Sequence, residues 1–201
     1  MKLYTTPKAA TNLAARILGL SVDMEKVDMQ TRKTARGESM DVLNPRGYVP
    51  FLKLDNGEIL TENAVVLQYL ADLKPQAGLI PPAGTMQRYR VQEWLNFIGT
   101  ELHKNFAPLF YPVTPGHREN ALANLDRRFG FLDSALAGKQ YLMGDSLTVA
   151  DLYAFVMVAN YADYHKISLD KWPNIKAYRA RLEQHPKMKE ALKAEEALAA
   201  A

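Results

Sequence analysis

The chain has 201 residues, of which 48% are hydrophobic, 23% charged and 9% aromatic. Those are globular proportions, so a real core can be buried and wholesale disorder is excluded. Lys and Arg number 25 against 22 Asp and Glu, a net charge of +3 spread along the chain, so no nucleic-acid footprint is indicated.

Residues 2–5 (KLYT) read as a short strand ending before Pro7. Apolar positions at Leu13, Ile17, Leu18 and Leu20 then predict a helix, with Thr11 or Asn12 as N-cap and a stop near Gly19. Residues 24–28 alternate like an edge strand, and 34–43 carry a weak helical pattern. Asn44-Pro45-Arg46-Gly47 is a turn signal. Residues 49–54 and 58–60 form two strands joined by Asp55-Asn56-Gly57, a hairpin signal. A helix follows Thr61, with Ala64, Val65, Leu67 and Leu70 as its apolar set. The order so far is βαβ, then α, then ββα.

Residues 75–86 are rich in Pro and Gly and lack a period, so they read as a linker between a domain at 1–74 and one at 87–201. Everything beyond is helical in pattern. Helices are predicted over 87–107, 117–137 and 148–164, after Trp172-Pro173, and over 187–200. The 148–164 segment is almost wholly apolar and should be central. Thr148 and Asp151 fit a capping box, which predicts a buried, hydrogen-bonded and non-catalytic Asp151.

The chain has no cysteine, which excludes disulfides, thiolate metal sites and a cysteine nucleophile. Histidines 103, 117, 165 and 185 lack metal-ligand spacing, so no metal is expected. Phosphate-loop, dinucleotide-loop and hydrolase-elbow motifs are missing. The N-terminal MKLYTTPKAA has no apolar signal core, and the apolar run Leu152–Ala159 is too short to span a bilayer. A soluble, cytoplasmic protein without a membrane partner is expected.

Two local features can carry chemistry. Val49-Pro50 before a strand is either a plain turn or a cis turn that offers the Val49 backbone to an extended ligand. Thr61-Glu62-Asn63 is either an ordinary helix start or a site for a zwitterion, with first-turn N–H groups for a carboxylate and Glu62 for an ammonium.

These features, in this order, resemble the glutathione S-transferase superfamily over nearly the whole chain. The carrying segments are Asn44 to Pro50 (NPRGYVP), Leu60 to Ala71 (LTENAVVLQYLA), Arg88 to Lys104 (RYRVQEWLNFIGTELHK) and Gly144 to Asp151 (GDSLTVAD). The stretch from Trp94 to Lys104 is especially similar to the bacterial beta class. The resemblance implies an α/β thioredoxin-like N-terminal domain plus an all-α C-terminal helical bundle. It implies a homodimeric, cytoplasmic detoxification enzyme that conjugates glutathione, as co-substrate, to small hydrophobic electrophiles, with peroxidase activity as a companion.

Carried over residue by residue, Val49 and Pro50 would hold the cysteinyl unit of glutathione, and Glu62 with Asn63 the γ-glutamyl end. Arg32, or Lys33 beside it, would meet the glycine carboxylate. Asn96, Thr100 and His103 would reach the sulfur region from one helical face, and Glu101 would reach across a dimer. Phe106, Phe110, Tyr111 and Tyr164 are candidate walls for the electrophile. Asn63 stands where many relatives have Ser, and the departure from the beta class that matters most is Ala10, which stands where a cysteine is usual. Mixed-disulfide chemistry is then impossible there, and the glutathione thiol itself must be the nucleophile. Thr11 and His103 are the expected catalytic donors to its sulfur, with Lys8 adding charge. The competing expectation is a binding protein for glutathione or hydrophobic ligands, with little turnover.

Overall fold

Short β-prone runs pair into one five-stranded sheet. The computed structural model describes the backbone of residues 1–200 and the side chains of residues 1–196. The strands are β1 (Lys2–Thr5), β2 (Asp23–Asp28), β3 (Lys33–Thr34), β4 (Phe51–Lys53) and β5 (Ile59–Leu60), in the order β3-β2-β1-β4-β5. β1 and β2 are parallel, with Lys2 opposite Asp23. A parallel pair needs a crossover, and α1 (Ala10–Ile17) supplies it. β4 runs antiparallel to β1, and β5 antiparallel to β4. Between them Gly57, at φ 88°, closes the expected hairpin. The Tyr4 ring stacks on Phe51 at 4.5 Å, with Val27 and Met40 completing a buried cluster. That fixes Tyr4 as a core residue.

Two expectations need correction. The helix predicted over 34–43 shrinks to α2 (Met40–Leu43). Residues 33–34 instead pair with β2, and the Gly37 N–H bonds the Thr34 carbonyl in a tight turn at φ 84°. The N-cap of α1 is Ala9 and makes no side-chain bond, so neither Thr11 nor Asn12 caps the helix. Its C-terminus ends as predicted: Gly19 takes a positive φ while Leu20 N–H bonds Ala15 and Gly19 N–H bonds Arg16. That pair of bonds satisfies the last carbonyls. Helix α3 (Asn63–Asp72) completes the sheet unit.

The longer remaining helices are α4 (Met86–Phe97), α5 (Pro115–Leu136), α6 (Val149–Val156), α7 (Pro173–Gln184) and α8 (Pro186–Ala200). Thr85 caps α4, and Thr114 caps α5 ahead of Pro115. α4 runs on through a π-helical segment, Ile98–His103, and α6 through another, Met157–Tyr161. All eight residues of α6 are buried. Asp151 is buried at its start. Its carboxylate accepts the N–H groups of Leu142 and Thr148 and the hydroxyls of Thr148 and Tyr178.

The chain divides into two compact units: Met1–Ala77 with α8, and Gly78–His185. The division falls inside the expected 75–86 linker. α8 differs from expectation, because it packs on α1 and belongs to the sheet unit. The tie is chemical: Glu195 of α8 receives donors from Asn12 and Arg16.

Candidate functional site

In the sheet unit, a shaped loop presents Val49. The buried Asn44 side chain donates to the Tyr48 carbonyl at 2.8 Å and accepts the Arg46 N–H at 3.2 Å. Gly47 N–H closes the turn onto the Asn44 carbonyl at 2.8 Å. The Val49–Pro50 peptide is cis. The Val49 side chain packs on the Tyr4 cluster, while its main-chain N–H and C=O bond nothing among the described residues. A backbone pair left this way can hold an extended ligand.

Glu62 stands at the head of α3 with φ 70°, a left-handed conformation that strains a residue with a side chain. Arg46 donates to its carboxylate at 3.1 Å, and the Tyr48 hydroxyl donates to the same oxygen. The carboxylate stays half exposed. Asn63 opens the helix and is half-buried. Among the described residues the N–H groups of Asn63 and Ala64 have no partner, so this helix start offers free donors and a positive dipole beside an accessible carboxylate.

Arg32 and Lys33 separate in role. The Arg32 guanidinium pairs with the Asp41 carboxylate and donates to the Gly47 carbonyl at 3.2 Å. That pairing holds the Asp41 carboxyl below its ordinary range. A Cβ on Gly47 would come within 2.6 Å of the guanidinium, so the glycine makes room for it. Arg32 therefore braces the turn before Val49, and the exposed Lys33 side chain is the less committed cation.

The start of α1 concentrates unpaired polar groups. The N–H groups of Ala10 and Thr11 lack partners among the described residues, and so do the Thr11 hydroxyl and the Asn12 amide oxygen. Ala10 is 2% exposed and Thr11 0%. Buried polar groups without partners are uncommon and call for an explanation. The Thr11 hydroxyl is thus enclosed, not presented at a surface.

In the helical unit, His103 ends the first π-helical segment. Its Nδ1 lies 2.7 Å from the Tyr153 hydroxyl and its Nε2 3.1 Å from the Tyr161 hydroxyl. Burial, with Lys104 adding, pushes its pKa down to about 4. A neutral imidazole has one donor and one acceptor, so the two tyrosines use both. The π turn also changes the predicted face. Asn96 and Thr100 are exposed, with the Thr100 hydroxyl bonded to the Asn96 carbonyl at 3.0 Å, while His103 turns inward to the tyrosines. A 3.6-residue period does not hold across a π segment. Glu101 pairs with Arg128 of the same chain at 2.5 Å. Phe106 is core, whereas Phe110 stacks on the exposed Tyr164 at 5.2 Å and Tyr111 is exposed.

Comparison with known proteins decides the family. Residues 10–73 match the model of the glutathione S-transferase N-terminal domain, and residues 100–195 match that of its C-terminal domain. The chain belongs to the glutathione S-transferase family. This transferase is 36% identical over 199 residues to glutathione S-transferase GstA of Escherichia coli O157:H7, covering 97% of this chain and 98% of the relative. A sphingomonad glutathione S-transferase, solved in complex with glutathione, is 40% identical with a TM-score of 0.91, covering 98% and 99%. The beta-class glutathione S-transferase of Sphingomonas chungbukensis is 42% identical, also with a TM-score of 0.91, covering 97% and 98%. The expected fold and the glutathione transferase class both hold for this chain.

Sequence reasoning about the transferase missed Asn44, Arg46, Tyr48, Tyr153, Tyr161 and Glu195. The two tyrosines had a signal: a phenol in an apolar helix needs a hydrogen-bond partner. Glu195 had none, because it sits in an Ala/Lys/Glu-rich run that reads as a solvated helix.

Proposed function

We propose that this transferase activates the thiol of glutathione at the start of α1 and adds it to small hydrophobic electrophiles. The observation that carries the reading is the set of unpaired polar groups there, in a chain with no sulfhydryl of its own. Ala10 holds the place of the beta-class cysteine, so the attacking sulfur belongs to the co-substrate. The thiol proton leaves to solvent, the thiolate forms the C–S bond, and the electrophile expels its leaving group or takes up a proton.

In this reading Val49 pairs its main chain with the cysteinyl unit next to Pro50. Glu62 takes the γ-glutamyl ammonium, and the α3 start at Asn63 takes its carboxylate. Lys33 meets the glycine carboxylate, with Arg32 bracing the loop; K33A and R32A separate those roles. The Ala10 and Thr11 N–H groups and the α1 dipole favour the thiolate. Asn96, Thr100 and His103 are the proposed contributions of the helical unit. Glutathione-dependent peroxidase turnover follows from the same activated thiol.

A homodimer is part of the proposal. Trp94, Phe97 and Phe131 cluster with ring centroids 5.0–6.1 Å apart, and Phe131 is 53% exposed. Met86 and Tyr89 on α4 are exposed as well. An apolar patch of this kind needs a cover, and a second copy supplies a self-complementary one. Light scattering at micromolar concentration should give the dimer mass. Reliance on reduced glutathione suits the cytoplasm.

The deciding experiment is the ultraviolet thiolate absorbance of bound glutathione, titrated with pH. A thiol pKa well below the ~8.5 of a free thiol supports activation. Binding with an unshifted thiol favours the carrier reading, which gains from the enclosed Thr11 hydroxyl and the doubly engaged His103. No binding rejects both.

A further inference from the structure

An N-cap residue with a side-chain oxygen ordinarily turns that oxygen onto the N–H groups of its own first turn. A carboxylate is drawn there twice over, by the donors and by the helix dipole. Glu62 is the N-cap of α3, and its main-chain carbonyl takes the Val65 and Val66 N–H groups at 2.9 Å each. Its side chain nevertheless makes no cap bond. The Asn63 and Ala64 N–H groups stay without partners among the described residues.

The carboxylate is turned the other way. Arg46 Nη1 donates to Oε1 at 3.1 Å, and the Tyr48 hydroxyl donates to the same oxygen. Arg46 Nη1 also reaches the Tyr48 oxygen at 3.4 Å, so the three side chains form one cluster. Nothing among the described residues bonds the second oxygen, Oε2. Stability is a poor account of this arrangement. The Glu62 side chain is 52% exposed and that of Arg46 60%, and an ion pair so exposed is worth little. A filled N-cap stabilises a helix more.

We infer that Arg46 and Tyr48 are positioning residues that hold the Glu62 carboxylate off its own helix start, keeping an acceptor and a set of donors unsatisfied side by side. Oε2 stays open to an ammonium, and the α3 N–H groups stay open to a carboxylate. Only a ligand end that carries both groups on one carbon uses the two together. This rests on the proposal that the γ-glutamyl end of glutathione binds at Glu62 and Asn63. Both donors come from the turn that presents Val49, so one loop shapes the two neighbouring subsites. Position and charge make opposite demands. As a bare cation beside an ammonium subsite, Arg46 would weaken binding, and its removal would tighten it. As a holder of the carboxylate, its removal must loosen it.

R46A/Y48F removes both donors, and the carboxylate should then fold onto α3. In the unliganded protein, amide hydrogen exchange at Ala64 should slow by about tenfold, while the melting temperature holds or rises. Calorimetry should show the glutathione Kd raised by about tenfold. KM for glutathione should rise with it, and kcat at saturating glutathione should stay within about twofold, because this end of the ligand is held alike before and during reaction. N-butyryl-cysteinylglycine lacks the ammonium and carboxylate of the γ-glutamyl end, and should bind the variant and the unaltered protein alike. In an E62A background, the same pair of substitutions should leave the glutathione Kd unmoved.

A tightened Kd in R46A/Y48F would overturn the inference in favour of charge. A lowered melting temperature with equal losses for glutathione and the butyryl probe would reduce the two residues to props of the loop, and overturn it as well. Should the double variant fail to fold, Y48F alone decides: Kd raised by about threefold with slowed Ala64 exchange supports the inference, and both unmoved overturns it. Failure of the unaltered protein to bind glutathione rejects the functional reading instead. The exchange measurement needs no ligand and judges the carboxylate's placement by itself.

Discussion

His103 should give the fold a dependence on acid that its removal abolishes. The ring is enclosed by Tyr153 and Tyr161, and its pKa falls from 6.5 to about 4. Above the ordinary value both the folded and unfolded chains hold a neutral ring, and its contribution to stability is whole. Between 6.5 and about 4 the unfolded chain takes a proton that the fold refuses. Stability is lost progressively over that interval as pH falls. At about 1.4 kcal/mol per unit, reduced for the ring's partial exposure, the loss is about 2–3 kcal/mol. H103N has no such group, so its stability should not carry that decline. Urea unfolding followed by circular dichroism, at about pH 7.5 and about pH 4.5, reads the difference. The gap between the two proteins should narrow by about 2 kcal/mol or more at the acid end. Parallel curves, or a His103 resonance titrating near its ordinary value, would refute the enclosure argument.

The other predictions concern single groups. D151A leaves two buried main-chain N–H groups and two hydroxyls without their acceptor, and should destabilise by about 3–5 kcal/mol in chemical denaturation. E62Q removes the charge proposed to take the glutathione ammonium and should raise the glutathione Kd by about 10- to 100-fold in calorimetry, with the fold intact. A10C places a sulfhydryl at the start of α1. Under oxidising conditions it should form a mixed disulfide with glutathione, visible by mass spectrometry and absent from the unaltered protein.

Much of the fold was legible because local signals agreed with one another. Asp55-Asn56-Gly57 between two β-prone runs gave the hairpin, Gly19 gave the end of α1, and Thr148 with Asp151 gave the start of α6. The misreadings share a cause: contacts distant in sequence decided the outcome. Residues 33–34 became a strand because β2 left an edge to pair, which no helical period records. The α1 cap fell to Ala9, since Asn12 is turned to Glu195, 183 residues away. The Ala/Lys/Glu-rich sequence of α8 predicts a helix but not its partner, yet one of its carboxylates is buried against α1. The site divided in the same way. Val49, Glu62 and Asn63 lie on short local motifs, and the Val49 main chain and Asn63 N–H, without partners among the described residues, follow from turn and helix-start geometry. Asn96, Thr100 and His103 were grouped by a period that the π segment breaks.

The absence of cysteine and the neutrality of His103 together narrow how sulfur can be activated. A free thiol near ~8.5 is only a few per cent ionised at neutral pH. Ionising half of it there requires stabilising the thiolate by about 2 kcal/mol. A neutral histidine supplies no charge, and to donate to sulfur it must release a tyrosine. The start of α1 needs no such exchange. Two uncommitted main-chain N–H groups offer about 1.5–3 kcal/mol each toward a charged acceptor, and the helix dipole adds up to about 1 kcal/mol. Their sum, about 3–7 kcal/mol, exceeds the requirement. Backbone donors therefore suffice without a side-chain acid, provided the first turn of α1 keeps its geometry. That geometry is held from behind: Lys8, in its left-handed conformation, and Asn12 both donate to the buried carboxylate of Glu195.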